Sequence, residues 1–168
     1  VAHVGRGIDG GGGGGASAAV VDDSLRDVND ALGYEVGDRL IVLTAKRLAT
    51  AVRPADIVAR LGGNTFMVLC HAVPDSGVEM DLADRVRRAL TGRLSIHQLE
   101  LDVSVSVGIA ITDATTRAKT PHDGAHELVA RADTAMYAAK ADGRARSTMF
   151  TDRLQNKAKV RTEIAAAL

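Results

Sequence analysis

Ile57-Val58-Ala59-Arg60-Leu61-Gly62-Gly63-Asn64-Thr65-Phe66-Met67-Val68-Leu69-Cys70 is the stretch on which the fold turns. Two apolar runs, Ile57 to Ala59 and Phe66 to Cys70, flank Gly62-Gly63-Asn64, whose residue types tolerate left-handed backbone. β-Branched and aromatic residues on either side of a tight glycine turn predict an antiparallel hairpin.

Upstream, Ala18-Ala19-Val20-Val21 suits a buried strand, and Leu25, Val28 and Leu32 give a short helix ending at Gly33. A longer helix is predicted from Gly37 to Val52, with Ile41, Ala45, Leu48 and Val52 on one face. Downstream, Met80 to Leu90 reads as a helix. Leu101, Val103, Val105, Val107, Ile109 and Ile111 alternate with small or polar residues, which predicts one long strand. Leu128, Val129, Ala132, Met136 and Ala139 mark a helix over about 124–141, and a short strand follows near Ser147 to Phe150. Alternating strands and helices predict an α/β sandwich with a central sheet of about five strands flanked by helices.

Residues 1–16, with glycine from Gly10 to Gly15, lack apolar periodicity and read as a flexible leader. Residues 17–151 form the domain, and 152–168 a charged amphipathic connector helix that ends without a cap signal, which predicts more protein beyond it. The 168 residues allow one domain with a sizeable core. Net charge is zero, so bulk electrostatics give no case for nucleic acid or anionic membrane. No apolar run approaches the roughly 18–20 residues that span a bilayer. One cysteine excludes an internal disulfide and, with no secretory signal, points to the cytoplasm.

Four blocks in order carry a family resemblance. Arg60-Leu61-Gly62-Gly63-Asn64-Thr65-Phe66 resembles the R-x-G-G-D-E-F signature of GGDEF domains, the fold of diguanylate cyclases. Val28-Asn29-Asp30, Gly33 and Gly37-Asp38 resemble that family's I-N-D-x-x-G-H-x-x-G-D pattern. Val103 to Ala110 resembles its V-T-V-S-I-G-I-A strand, and Ala132-Asp133, Met136-Tyr137, Ala139-Lys140 and Gly143-Arg144 resemble A-D-x-A-L-Y-x-A-K-x-x-G-R. The resemblance covers about residues 18–150. It implies a nucleotide-cyclase-like sandwich in which two domains, face to face, join two GTP molecules into cyclic di-GMP with the help of divalent metal.

The resemblance also assigns residues. Counting back from Asn29 places the family's first metal-binding Asp at Val21, and its hairpin acidic pair at Asn64 and Thr65. All three are neutral, so the expectation is a domain with no catalytic residues, no resident metal and no cofactor. Asp22 and Asp23 are nearby, but neighbours on a strand face opposite ways, and Asp23 lies about 6–7 Å further along than Val21. Asn29 and Asp38 match the family's guanine-reading positions, and Lys140 and Arg144 its phosphate-facing pair. Their residue types equally suit helix caps and solvated charges at a helix end.

Arg53-Pro54-Ala55-Asp56 stands nine residues before Gly62, where the family has its R-x-x-D inhibitory site for cyclic di-GMP. An Arg fork clamps a phosphate or the guanine O6/N7 edge, and Asp accepts from the Watson–Crick edge. The competing reading is an i, i+3 surface ion pair. Arg85, Arg87 and Arg88 are candidates for a second arginine. His122 and His126 have i, i+4 spacing, but His122 is read as preceding the helix and no third metal ligand is evident. Cys70 reads as core.

The family's opening D-x-L-T-G-L-x-N-R segment is not found; the glycine-rich leader occupies its place. Phe150-Thr151-Asp152 and the helix after it resemble the connector from a GGDEF into an EAL phosphodiesterase domain. The leading expectation is a non-catalytic regulatory module that binds cyclic di-GMP or GTP and controls an attached output domain, EAL or other. The alternatives are an active diguanylate cyclase with a metal site built on Asp22 or Asp23, and a ligand-free scaffold that forms a homodimer.

Overall fold

The computed structural model describes residues 14–73 and 78–166. In order, the elements are β1 (Gly14–Asp22), α1 (Leu25–Leu32), α2 (Tyr34–Ala51), β2 (Ile57–Gly62), β3 (Thr65–Val73), α3 (Val78–Leu90), β4 (Gly92–Ile96), β5 (Leu99–Val103), β6 (Val105–Ile111), α4 (Ala114–Arg117), α5 (Pro121–Ala141), β7 (Ser147–Met149) and α6 (Asp152–Ala166). A five-stranded sheet runs β2-β3-β1-β6-β7, with only β7 parallel to its neighbour. The expected hairpin is β2–β3, and the expected five-stranded α/β sandwich is present.

Side-chain alternation sorts the sheet into two apolar faces. Phe66 and Val68 on β3 join Val105, Val107 and Ile109 on β6 against Leu48 of α2 and Val86 of α3. Met67 and Ala110 point the other way, onto Leu128, Ala132 and Met136 of α5. Gly108 lets that helix lie on the sheet. A Cβ there would stand 2.1 Å from both the Ala132 carbonyl oxygen and the Met136 nitrogen, so only glycine fits.

The single long strand expected over 101–111 is two strands. At Ser104 the chain leaves one sheet for another: its carbonyl accepts from the Asp23 N–H at 2.9 Å and its N–H donates to Ser24 Oγ at 3.1 Å. β5 instead pairs with β4 in a separate two-stranded sheet. Leu94, Ile96 and Val103 of this hairpin cover Leu25, Val28 and Leu40 of α1 and α2. The apolar alternation runs on through Ser104 because the switch falls on a polar position, so the period carries no trace of it.

Other boundaries also move. β1 begins at Gly14, inside the expected leader, and its edge is fixed by Gly15 N–H on Thr112 Oγ1 and Thr112 N–H on the Gly15 carbonyl, both at 2.8 Å. The leader's residues 1–13 lie outside the described residues. α5 starts at Pro121, with Thr120 as its N-cap accepting from the Asp123 N–H, so His122 is in the helix and not before it. α6 packs on α5 with Leu154 half-buried. Among the described residues, no helix is long and apolar enough to cross a membrane.

Candidate functional site

The antiparallel register gathers one group of residues at a single end of the main sheet. Val21 of β1 pairs with Thr65 at the start of β3 and with Ser106 near the start of β6. The β2–β3 turn, the start of α1 and the 142–146 loop before β7 therefore share that end. In the turn, Arg60 donates from Nε and Nη2 to the Gly63 carbonyl at 3.0 and 2.8 Å, which locks the hairpin tip.

Asn29 lies inside α1, and its side chain rests on Gly37: a Cβ on Gly37 would fall 1.7 Å from Asn29 Oδ1. This contact fixes the crossing of α1 and α2. The helix caps are Ser24 and Gly33, so neither Asn29 nor Asp38 serves as one. Asp38 is exposed on α2 and borders a groove of about 440 Å³ shared with Glu35, Val42, Ser95 and His97. Thus the β4–β5 hairpin, which sequence reasoning missed, forms one wall beside Asp38.

Lys140 is in the last turn of α5 and Arg144 is exposed in the loop that follows. The Arg144 N–H donates to the Ala139 carbonyl at 3.1 Å, which closes the end of the helix. Asp23 adds a contact that the sequence did not suggest. Its carboxylate accepts from Ser106 Oγ at 2.8 and 3.0 Å and from the Ala145 N–H at 3.2 Å.

Divalent metal is what the family's chemistry implies here, and the side chains described at this end of the sheet do not fit it. Val21, Asn64 and Thr65 bring no carboxylate, and the Asp23 carboxylate already accepts from protein donors. A hard cation needs several oxygen ligands, carboxylates foremost. Among the described residues no group of three or more His, Cys, Asp and Glu side chains could hold a metal ion. His122 and His126 meet edge to face at 4.4 Å between ring centroids and belong to no such group.

At the other end of the sheet, where β2 begins, Arg53 and Asp56 form a closed turn. The Arg53 N–H donates to Asp56 Oδ2, and the Asp56 N–H to the Arg53 carbonyl, both at 2.9 Å. The surface ion pair considered from the sequence is not what links them; the carboxylate holds backbone, which leaves the exposed Arg53 guanidinium outside that contact. Cys70 of β3 sits behind the turn. Burial first, then the Asp56 charge and its hydrogen bond, push the thiol up to about 12, while Arg53 and Arg85 pull it down. Of the three arginines of α3, Arg85 is the one whose charge acts on Cys70. Arg87 pairs with Asp84 at 3.6 Å and Arg88 Nε donates to the Asp84 carbonyl at 3.2 Å.

Comparison with known proteins agrees with this architecture. The family model described as "Diguanylate cyclase, GGDEF domain" matches residues 19–146. The chain is 37% identical over 124 residues to MucR of Pseudomonas aeruginosa, named a bifunctional diguanylate cyclase/cyclic di-GMP phosphodiesterase, covering 73% of this chain and 17% of that protein. It spans between 16% and 22% of the length of the curated relatives it matches. Among solved structures it is similar to an EAL/GGDEF domain protein from M. capsulatus, with 34% identity, a TM-score of 0.72 and 83% and 86% of the two chains covered. It is also similar to the GGDEF domain of DgcB from Caulobacter crescentus in complex with c-di-GMP, with 25% identity, a TM-score of 0.69 and 81% and 77% covered. With a family model matched across most of its length and a sheet, hairpin and helix order that agree with it, this chain belongs to the GGDEF family.

Proposed function

We propose that this GGDEF domain is a non-catalytic receptor in cyclic di-GMP signalling, binding the dinucleotide at Arg53 and Asp56. The observation that carries this reading is the reciprocal pair of 2.9 Å hydrogen bonds between those residues. Ordered in advance, such a turn gives up little further entropy on binding. The loss of carboxylates at Val21, Asn64 and Thr65 supports the non-catalytic half of the reading. Asn29, Asp38, Lys140 and Arg144 would retain weak, metal-independent affinity for GTP. Occupancy would be relayed through α6 to an attached domain, EAL or other, provided the ligand binds two states of that helix unequally.

A second reading is an active diguanylate cyclase with an unusual metal site. The family's description and the name of MucR lean towards it, since both specify cyclase activity.

Calorimetric titration of cyclic di-GMP into the domain, with Arg53→Ala alongside, tests the first reading. Saturable binding that the variant loses supports it, and no binding by the wild type sinks it. Incubation with GTP and Mg²⁺ or Mn²⁺, followed by chromatography for cyclic di-GMP, tests the second. Metal-dependent product would overturn the non-catalytic reading, whereas silence in both assays would leave a dimerisation scaffold.

A further inference from the structure

We infer that Asp23 is a positioning residue, whose carboxylate holds the 143–146 turn so that Arg144 is presented to the phosphates of a nucleoside triphosphate. The inference rests on the reading of Asn29, Asp38, Lys140 and Arg144 as a nucleotide site. Asp23 directly follows β1, and its own N–H is fixed on the Ser104 carbonyl at 2.9 Å. Its oxygens accept from Ser106 Oγ, a fully buried hydroxyl on β6, and from the Ala145 N–H. One carboxylate thus bridges β1, β6 and the loop between α5 and β7.

The loop needs such a brace. Arg144 and Ala145 have φ of +61° and +50°, two consecutive non-glycine residues in the left-handed region, which is sterically costly for L-residues. Other bonds hold its two flanks: Gly143 N–H to the Lys140 carbonyl and Arg144 N–H to the Ala139 carbonyl on the helix side, and Val107 N–H to the Arg146 carbonyl on the strand side. Arg146 Nε folds back onto the Arg144 carbonyl at 3.2 Å. Between these flanks, the bond from Ala145 to Asp23 is the one that ties the left-handed pair to the sheet. Without it the backbone of Arg144 is free to relax to ordinary φ, which swings the side chain away. A guanidinium clamps phosphate through a directional fork, so misorientation weakens the contact even though the charge remains. In this arrangement the Asp23 carboxylate acts on the ligand through the loop.

The test uses the whole 168-residue chain in EDTA, titrating GTP and guanosine by calorimetry into wild type, Asp23→Ala and Asp23→Asn, with the exchange rate of the Ala145 amide followed by NMR. Expected is a loss of about tenfold in GTP affinity in Asp23→Ala, with guanosine affinity unchanged and faster exchange at Ala145. Asp23→Asn, which keeps the shape and one acceptor oxygen, should fall between, and it serves as the test variant if Asp23→Ala does not fold. A purely structural role for Asp23 would move GTP and guanosine together, which would overturn the proposal. Unchanged exchange at Ala145 would overturn it as well. If wild type binds neither compound, the nucleotide reading itself has failed, and the presentation of Arg144 to phosphate falls with it; the bracing of the loop is then judged by the amide alone.

Discussion

Asp56 and Arg53 exchange two backbone-anchored hydrogen bonds of 2.9 Å, and the carboxylate that makes one of them acts by its charge and a hydrogen bond on the buried thiol of Cys70. This coupling joins a surface turn to the core, so the thiol reports on the turn. With the thiol raised to about 12, native protein at pH 8 should not react with a disulfide reagent, and modification should require unfolding. Asp56→Asn should lower that barrier by removing the charge. The linkage has a definite sign. Above the ordinary thiol value of about 8.5 the unfolded chain loses a proton that the native chain keeps, so stability falls as pH rises from there towards 12. Denaturant midpoints of wild type and Cys70→Ala across that range measure the difference.

Restoring carboxylates tests whether the scaffold is otherwise competent. Val21 and Thr65 are partners across the β1–β3 ladder, and Asn64 is in the adjoining turn. Val21→Asp with Asn64→Asp and Thr65→Glu should yield a protein that makes cyclic di-GMP from GTP only when divalent metal is added. Continued silence in a folded triple variant would show that more than carboxylates separates this domain from a cyclase.

Gly108→Ala should destabilise the domain by about 3 kcal/mol or more, because the new methyl meets helix backbone and cannot swing away. Gly37→Ala should be milder in stability, since Asn29 is a movable side chain, but should displace that side chain and weaken any guanine binding. Thermal midpoints and nucleotide titration separate the two effects.

Acid should loosen the α4–α5 junction. Asp113 accepts from the Thr116 N–H and from Arg131 Nη1, at 2.8 and 2.6 Å, and these bonds lower its pKa to about 2. The folded value lies below the unfolded one, so the stabilisation is complete above about pH 4 and is lost as pH falls through 2. Asp113→Asn should therefore melt lower than wild type at pH 6 and converge with it near pH 2. A constant offset at every pH would refute the assignment. The nearly buried Arg131 also pairs with Glu127 and lies 5.2 Å over the Phe150 ring, so the same loss should reach the root of α6.

Much of this fold was legible because its determinants are local. The glycine turn at 62–64, the period of α5 and the alternation of β6 are each written within a few residues. The β4–β5 hairpin was not, because its turn places His97 and Gln98 at φ of +48° and +68° without the Asn-Gly pair that usually advertises such a turn. The alternation of Arg93, Leu94, Ser95 and Ile96 was the available signal, but it is only one strand-length long. Thr120-Pro121 would have set the start of α5 correctly, as a capping residue followed by proline at the first helical position. At the candidate site, Asn29, Asp38, Arg53 and Asp56 could be named from the family resemblance. The role of Asp23 could not, because its partners Ser106 and Ala145 are brought to it only by the closed sheet.

The position of β1 bears on how the chain reaches this structure. Of the strands in this sheet, the first to be synthesised is the middle one, hydrogen-bonded on one side to β3 and on the other to β6. The β2–β3 hairpin can zip early, yet Ala18 must wait for Ile109 before its second edge is covered. Until then an apolar strand with free backbone groups is open to other chains, and closing so distant a contact slows folding. Nascent chains should therefore be most prone to aggregate in the interval between synthesis of β3 and emergence of β6.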